Sequence, residues 1–131
     1  MKDANVPKYD FLELRTRAEF LELCGDEEGA QDLRDVSLKI AREVDLTCYA
    51  YQLMWRDRLD DAISLLQRNA AVNPRSWNVQ DSLGEAFEMK GDLSAAVEHY
   101  RQAAELVDDG SQRERIDFAI DRIVRLERAV S

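Results

Sequence analysis

Turn formers are scarce in this chain. With 5 Gly and 2 Pro in 131 residues, there is too little punctuation for the many short strands of a sandwich or barrel, and β-branched runs are few. Long helices remain, so the expected fold class is all-α. Cysteine is rarer still. Cys24 and Cys48 have neither the close spacing of a metal knuckle nor the density of a secreted disulfide scaffold. Both fall within helical patterns, and buried thiols are expected. Net positive charge is missing as well. The formal charge is −9, so phosphate backbones and anionic lipid surfaces repel the chain, which argues against nucleic acid as a partner. No window is apolar for long enough to cross a bilayer, and the opening MKDANVPKYDF lacks the continuous apolar stretch of a signal peptide. A cytoplasmic protein without membrane association is expected.

Groups that carry chemistry are equally thin. There is 1 His. His99 lies in a helical pattern whose apolar face is drawn by Ala96, Val97, Tyr100 and Ala103, so its ring is expected to face solvent. With no second histidine and no cysteine cluster, neither a zinc site nor a nucleophile, base and orienting acid can be assembled by spacing. Gly25 and Gly29 frame GDEEG, which lacks the Lys-Ser/Thr ending of a phosphate loop. The acidic groups Asp26-Glu27-Glu28 and Asp60-Asp61 sit where helix starts favour carboxylates. Asp108-Asp109-Gly110 reads as a turn without the ligand series of a calcium loop. No enzyme activity, cofactor or metal is therefore expected.

What the chain has is apolar residues at helical spacing. They make up 45% of the sequence, enough for a core in one domain spanning 1–131 without disulfides. Pro7 opens a pattern of Phe11, Leu14, Ala18, Leu21 and Cys24, which Gly25-Asp26 ends. A second pattern holds Ala30, Leu33, Val36, Leu38, Ile40, Ala41 and Val44, completing a first hairpin over 7–44. From Asp45, read as an N-cap, Leu46, Tyr49, Ala50, Leu53 and Met54 lead to a break at Arg56-Asp57-Arg58. Ala62, Ile63, Leu65, Leu66 and Ala70 then lead to Asn73-Pro74, where the residue before proline leaves helical geometry. This second hairpin occupies 45–75. At the other end Ser111 and Glu114 form a capping-box signal. Ile116, Ala119, Ile120, Ile123, Val124 and Leu126 make the buried stripe of a last helix, 111–129, whose outer side shows Arg113, Arg115, Arg122, Arg125 and Arg128.

The stretch over 76–108 organises the rest. In SWNVQDSLGEAFEMKGDLSAAVEHYRQAAEL, Leu83-Gly84 is followed by Phe87, and Ala96 by Tyr100 and Ala103. Small residues at 84 and 96 let two helices approach, while Phe87 and Tyr100 fill the space around them. The pattern resembles the tetratricopeptide repeat. The second hairpin fits the same register, since Asp57 precedes Gly91 by 34 residues (91 − 57), the family's period. Leu46, Tyr49, Ala50 and Leu53 then correspond to Gln80, Leu83, Gly84 and Phe87, and Ala62, Leu66 and Asn69 to Ala96, Tyr100 and Ala103. Asp57 stands where glycine is usual and Asn69 where a small apolar residue is usual. The first hairpin is offset by 32 (57 − 25) and carries Arg34 in place of Leu66 or Tyr100, a degenerate repeat.

The resemblance implies an α-α superhelix of antiparallel hairpins, about seven helices in all, that binds a partner on its inner face. On this reading Thr47, Tyr51, Met54 and Trp55 face inward, followed by Asn78, Asp81, Glu85, Glu88 and Met89, with Arg115 and Arg122 from the capping helix. An apolar, aromatic end beside an acidic floor suits a partner peptide or helix with an apolar anchor and basic residues. For Tyr51, Met54 and Trp55, packing under the first hairpin is an equal alternative, and for the acids a solvated helix face. The expected function is a non-enzymatic protein-interaction module. Three other readings stand beside it. Residues 49–87 are also similar to helical tails of bacterial hydrolases, which makes the chain an accessory domain or detached partner of such an enzyme. A small acidic tetratricopeptide chaperone that dimerises is the second, and the third, a structural reading, is self-association as a homodimer through the irregular first hairpin, where Phe11, Phe20 and Leu38 are exposed if nothing covers them.

Overall fold

The computed structural model describes residues 9–130. Among them are seven helices and no strand: α1 (Phe11–Leu23), α2 (Glu27–Ile40), α3 (Glu43–Trp55), α4 (Leu59–Val72), α5 (Trp77–Lys90), α6 (Leu93–Leu106) and α7 (Gly110–Val130). The chain is all-α, with packed helix pairs compatible with a helical repeat. It divides into two compact units, Met1–Asp45 and Leu46–Ser131.

In the first unit the Asp10 carboxylate accepts the Glu13 N–H at 2.8 Å and so caps α1; the proline expected to open this helix, Pro7, lies outside the described residues. α1 buries Phe11, Leu14 and Ala18. Phe11 is thus covered, on the apolar face expected of it, whereas Phe20 is exposed and Leu38 half-buried. Gly25 ends the turn at φ +86°, and Asp26 caps α2 through the Gly29 N–H at 2.9 Å. The apolar set assigned to α2 does not form one stripe. Leu33, Val36, Leu38 and Ile40 are spread around the helix, so the side packed on α1 buries Ala30 and Ser37, leaving Val36 and Ile40 exposed. α2 also stops at Ile40, with Ala41 extended, and Val44 belongs to α3. Asp45 lies inside α3, where its carboxylate reaches back to the Arg42 N–H at 2.9 Å, the reciprocal half of a capping box, and to the Arg42 guanidinium at 3.1 Å.

The second unit follows one burial pattern twice. Leu46, Tyr49, Ala50 and Leu53 are buried in α3, as are Gln80, Leu83 and Gly84 in α5; Ala62, Leu66 and Asn69 are buried in α4, as are Ala96, Tyr100 and Ala103 in α6. The turns agree as well. Asp57 adopts φ +60°, the left-handed region that Gly91 occupies at φ +89°; aspartate tolerates that region better than most side chains. Asn69 is polar but satisfied, donating to Thr47 Oγ1 at 3.1 Å and accepting from Asn73 at 2.8 Å. The close approach expected at Gly84 is present, because a Cβ there would stand 2.6 Å from the Tyr100 ring. α7 closes this unit by burying Ile116, Ala119 and Ile123 against Ala96, Tyr100, Ala103 and Val107 of α6 and its C-cap. Its start is capped by Asp109, which accepts from the N–H groups of Ser111 and Gln112 at 2.8 and 3.2 Å, and not by Ser111 as its capping-box spacing suggests.

Both cysteines are exposed, contrary to expectation. Cys24 is the C-cap of α1, beyond its last buried turn. Cys48 shares its side of α3 with exposed Val44 and Gln52, one turn away on either side.

Candidate interaction surface

In the second unit, the expected inward-facing residues divide into three groups. Thr47 and Met54 are buried among the core side chains of α3, so for these two the core is the observed place. Tyr51, Asp81, Glu85, Glu88, Arg115 and Arg122 form a polar ladder. Trp55, Asn78 and Met89 face solvent.

The ladder crosses three helices. The Tyr51 hydroxyl of α3 donates to Glu85 Oε2 at 3.0 Å and lies 3.1 Å from Ser82 Oγ on α5. Arg115 of α7 donates to Asp81 Oδ2 at 2.7 Å, and Arg122 to Glu88 Oε2 at 2.5 Å. Tyr100 of α6 adds a bond to Glu88 Oε1 at 3.1 Å. Asp81, Glu85 and Glu88 line one side of α5 because they stand four and three residues apart. That face was expected to be an open acidic floor or a solvated face. Instead two guanidinium groups and two phenols of the same unit cover it, leaving one net negative charge among the five ionised groups.

Each carboxylate has a different electrostatic position. The Arg122 guanidinium holds Glu88 below the usual carboxylate range. Burial pushes Glu85 up, against the Tyr51 hydrogen bond, and nearby Asp81 and Glu88 add to the rise. Asp81 is the most deeply placed, its side chain 6% exposed, and its Oδ1 is buried with no hydrogen-bond partner among the described residues. It therefore depends on Arg115 for compensation. Burial pushes the Tyr51 phenol up to about 12 and raises Tyr100 further, so both remain neutral donors near pH 7.

Neither protein-family models nor curated proteins give a match to this chain. The functional reading therefore rests on this surface itself.

Three links of the ladder between alternate helices join residues 34 positions apart, Tyr51 to Glu85, Asp81 to Arg115 and Glu88 to Arg122, while Tyr51 to Ser82 spans 31. The same offset relates the exposed pair, Trp55 and Met89 (89 − 55), at 82% and 56% exposure. Each stands one turn beyond a member of the bonded pair Tyr51–Glu85, on the same side of its helix. The surface is thus a neutralised polar ladder continued by two large apolar side chains.

His99 was expected to face solvent and instead is half-buried. Its ring stacks on Phe87 with centroids 5.3 Å apart and planes 4° from parallel, and its Nδ1 lies 2.8 Å from Gln80 Oε1. Burial lowers its pKa, so a neutral ring with the proton on Nδ1 satisfies the Gln80 carbonyl oxygen. The polar end of buried Gln80 thus gives the imidazole a partner on α5. Ser82, Tyr100 and His99 were the participants missed. The signal for Tyr100 was present in its spacing to Glu88, but only the packing of α6 on α5 brings the two together. Among the described residues, no three His, Cys, Asp or Glu side chains are placed to hold a metal ion, and no helix is long and apolar enough to cross a membrane.

Proposed function

We propose that the chain is a protein-interaction module of the tetratricopeptide type that holds a partner peptide or helix against α3 and α5, with Trp55 and Met89 as apolar anchors. The observation that carries this reading is their exposure at matching positions one turn beyond a bonded pair. Large exposed apolar groups are ordinary when scattered; two that recur at the repeat offset make a surface on which a partner gains affinity by desolvating aromatic and thioether groups. The ladder's role is to hold α3, α5 and α7 in register. Because Arg115 and Arg122 neutralise two of its three acids, charge steers a basic partner only weakly, and the apolar anchor dominates recognition.

The test is a capture experiment from a lysate of the source organism, followed by direct titration of the identified protein. A Trp55→Ala/Met89→Ala variant with unchanged circular dichroism should lose the partner, by roughly 2 kcal/mol or more if Trp55 is a hot spot, while Asn78→Ala keeps it. Equal affinity of the native chain and the double variant would sink the anchor reading. Turnover of ester or peptide substrates by the purified chain would overturn a purely binding function.

A further inference from the structure

The 34-residue offset places α7 in the same relation to α5 that α5 has to α3. On that offset the side of α5 that meets α6, marked by Gln80, Gly84 and Phe87, corresponds to Glu114, Phe118 and Asp121 on α7. α5 covers this side with α6, whereas on α7 the same side is open. Phe118 is 70% exposed, and with Asp121, Arg122, Arg125 and Leu126 it borders a depression of about 310 Å³.

The charge along this face is ordered. Glu114, Asp117 and Asp121 lie on the N-terminal side of the Asp121–Arg122 step, and Arg125 and Arg128 on its C-terminal side, all exposed, with Arg125 also 3.0 Å from Asp121 of its own helix. Arg113, Arg115 and Arg122 are drawn inward, to the Val107 carbonyl oxygen, to Asp81 and to Glu88. Glu127, the acid of the second half, borders a different hollow beside α6. The exposed pattern is therefore self-complementary when the helix is reversed end to end.

We propose that a second copy of this chain lays its own α7 antiparallel across this face and takes the place that α6 has on α5. About a two-fold axis near Asp121 and Arg122, the acidic half of each helix lies on the basic half of the other. Phe118 then falls opposite Arg125 of the copy, so each ring enters the other's depression with a guanidinium over its face. A contact along one helix of 21 residues, about 31 Å at 1.5 Å per residue, is short for a permanent dimer, so association depends on concentration within the micromolar range.

Sedimentation of the full chain from low to several hundred micromolar tests this. The weight-average mass should rise towards twice the monomer. Phe118→Glu, at an exposed position and with circular dichroism unchanged, should weaken dimerisation about thirtyfold or more, as loss of a central aromatic anchor does. An acidic variant, Arg125→Glu/Arg128→Glu, and a basic variant, Glu114→Arg/Asp121→Arg, should each be monomeric alone and should form a mixed dimer when combined at low salt. A constant monomer mass for the native chain, a Phe118→Glu protein that dimerises as well as native, or no mixed dimer from the two charge variants would each overturn the proposal.

Discussion

Midway along α2 in the first hairpin stands Arg34, which bridges Glu22 of α1 at 3.6 Å and Glu27 at 2.9 Å. At the corresponding place in the α5–α6 pair stands Tyr100, 2% exposed, its ring against the bare backbone of Gly84. The smaller positions nearby agree more closely between the two hairpins. Ala18 and Gly84 occupy one of them, Ala30 and Ala96 another, Ser37 and Ala103 a third, and all six are buried. Two helices can thus be brought together by small residues along the seam while the central position varies. What varies with it is the source of stability. An exposed ion pair contributes about 0–1 kcal/mol, whereas burying a large aromatic side chain against a matching gap contributes several times more. The first hairpin also leaves Phe20 and Leu23 in solvent.

The largest expected effect comes from removing the ring. Tyr100→Ala empties the space against Gly84 and deletes the bond to Glu88, and by analogy with other aromatic truncations it should cost about 3–5 kcal/mol. Urea unfolding followed by circular dichroism should show a midpoint well below native. A loss under about 1 kcal/mol would mean that Gly84 and Tyr100 do not interlock and that the two hairpins are held alike. The matching change in the first hairpin is Arg34→Ala. Its ion pairs involve side chains 22–69% exposed, so about 0.5–1 kcal/mol is expected in the same measurement, falling further in high salt. If this substitution costs as much as Tyr100→Ala, the contrast between a charge clamp and a packed ring is wrong.

Much of this architecture was legible because it follows from local spacing. The helix breaks at Gly25, Asp57 and Gly91 are all places where the backbone turns left-handed, and Gly84 opposite Tyr100 follows from the small-to-large rule. What could not be read was which neighbour would meet each exposed-looking side chain. Asp81, Glu85 and Glu88 form an acidic face on a helical wheel, and the wheel has no way to show that α7 brings Arg115 and Arg122 onto it from 34 residues away. His99 beside an apolar stripe looked solvated until Phe87 and Gln80 supplied a stack and an acceptor. The cysteines differ in the opposite sense, because apolar character does not bury a side chain such as Cys48 whose helical neighbours Val44 and Gln52 point outward. A capping helix implies a polar outer side, whereas that of α7 is partly apolar, with Phe118 and Leu126 exposed.

The smallest expected effect, a gain in stability, sharpens the comparison within the ladder itself. Glu85 and Glu88 are one turn apart on α5, yet Glu88 is held below the usual range by Arg122 while burial pushes Glu85 above it. A depressed carboxylate adds stability above its unfolded pKa and loses it as pH falls through the folded value, so Glu88 favours the fold at neutral pH. A raised one does the reverse. Its contribution is present below the unfolded pKa and lost as pH rises through the folded value, so ionised Glu85 weighs against the fold at pH 7. Glu85→Gln removes that charge and keeps a carbonyl oxygen for the Tyr51 hydroxyl. The variant's urea midpoint should therefore exceed native at pH 7, and the two curves should converge as pH drops below the ordinary carboxylate range, where native Glu85 is protonated in both states. Glu88→Gln should instead lower the midpoint at pH 7. If both substitutions move the midpoint in one direction, the two carboxylates share one environment, and Arg122 does not distinguish them.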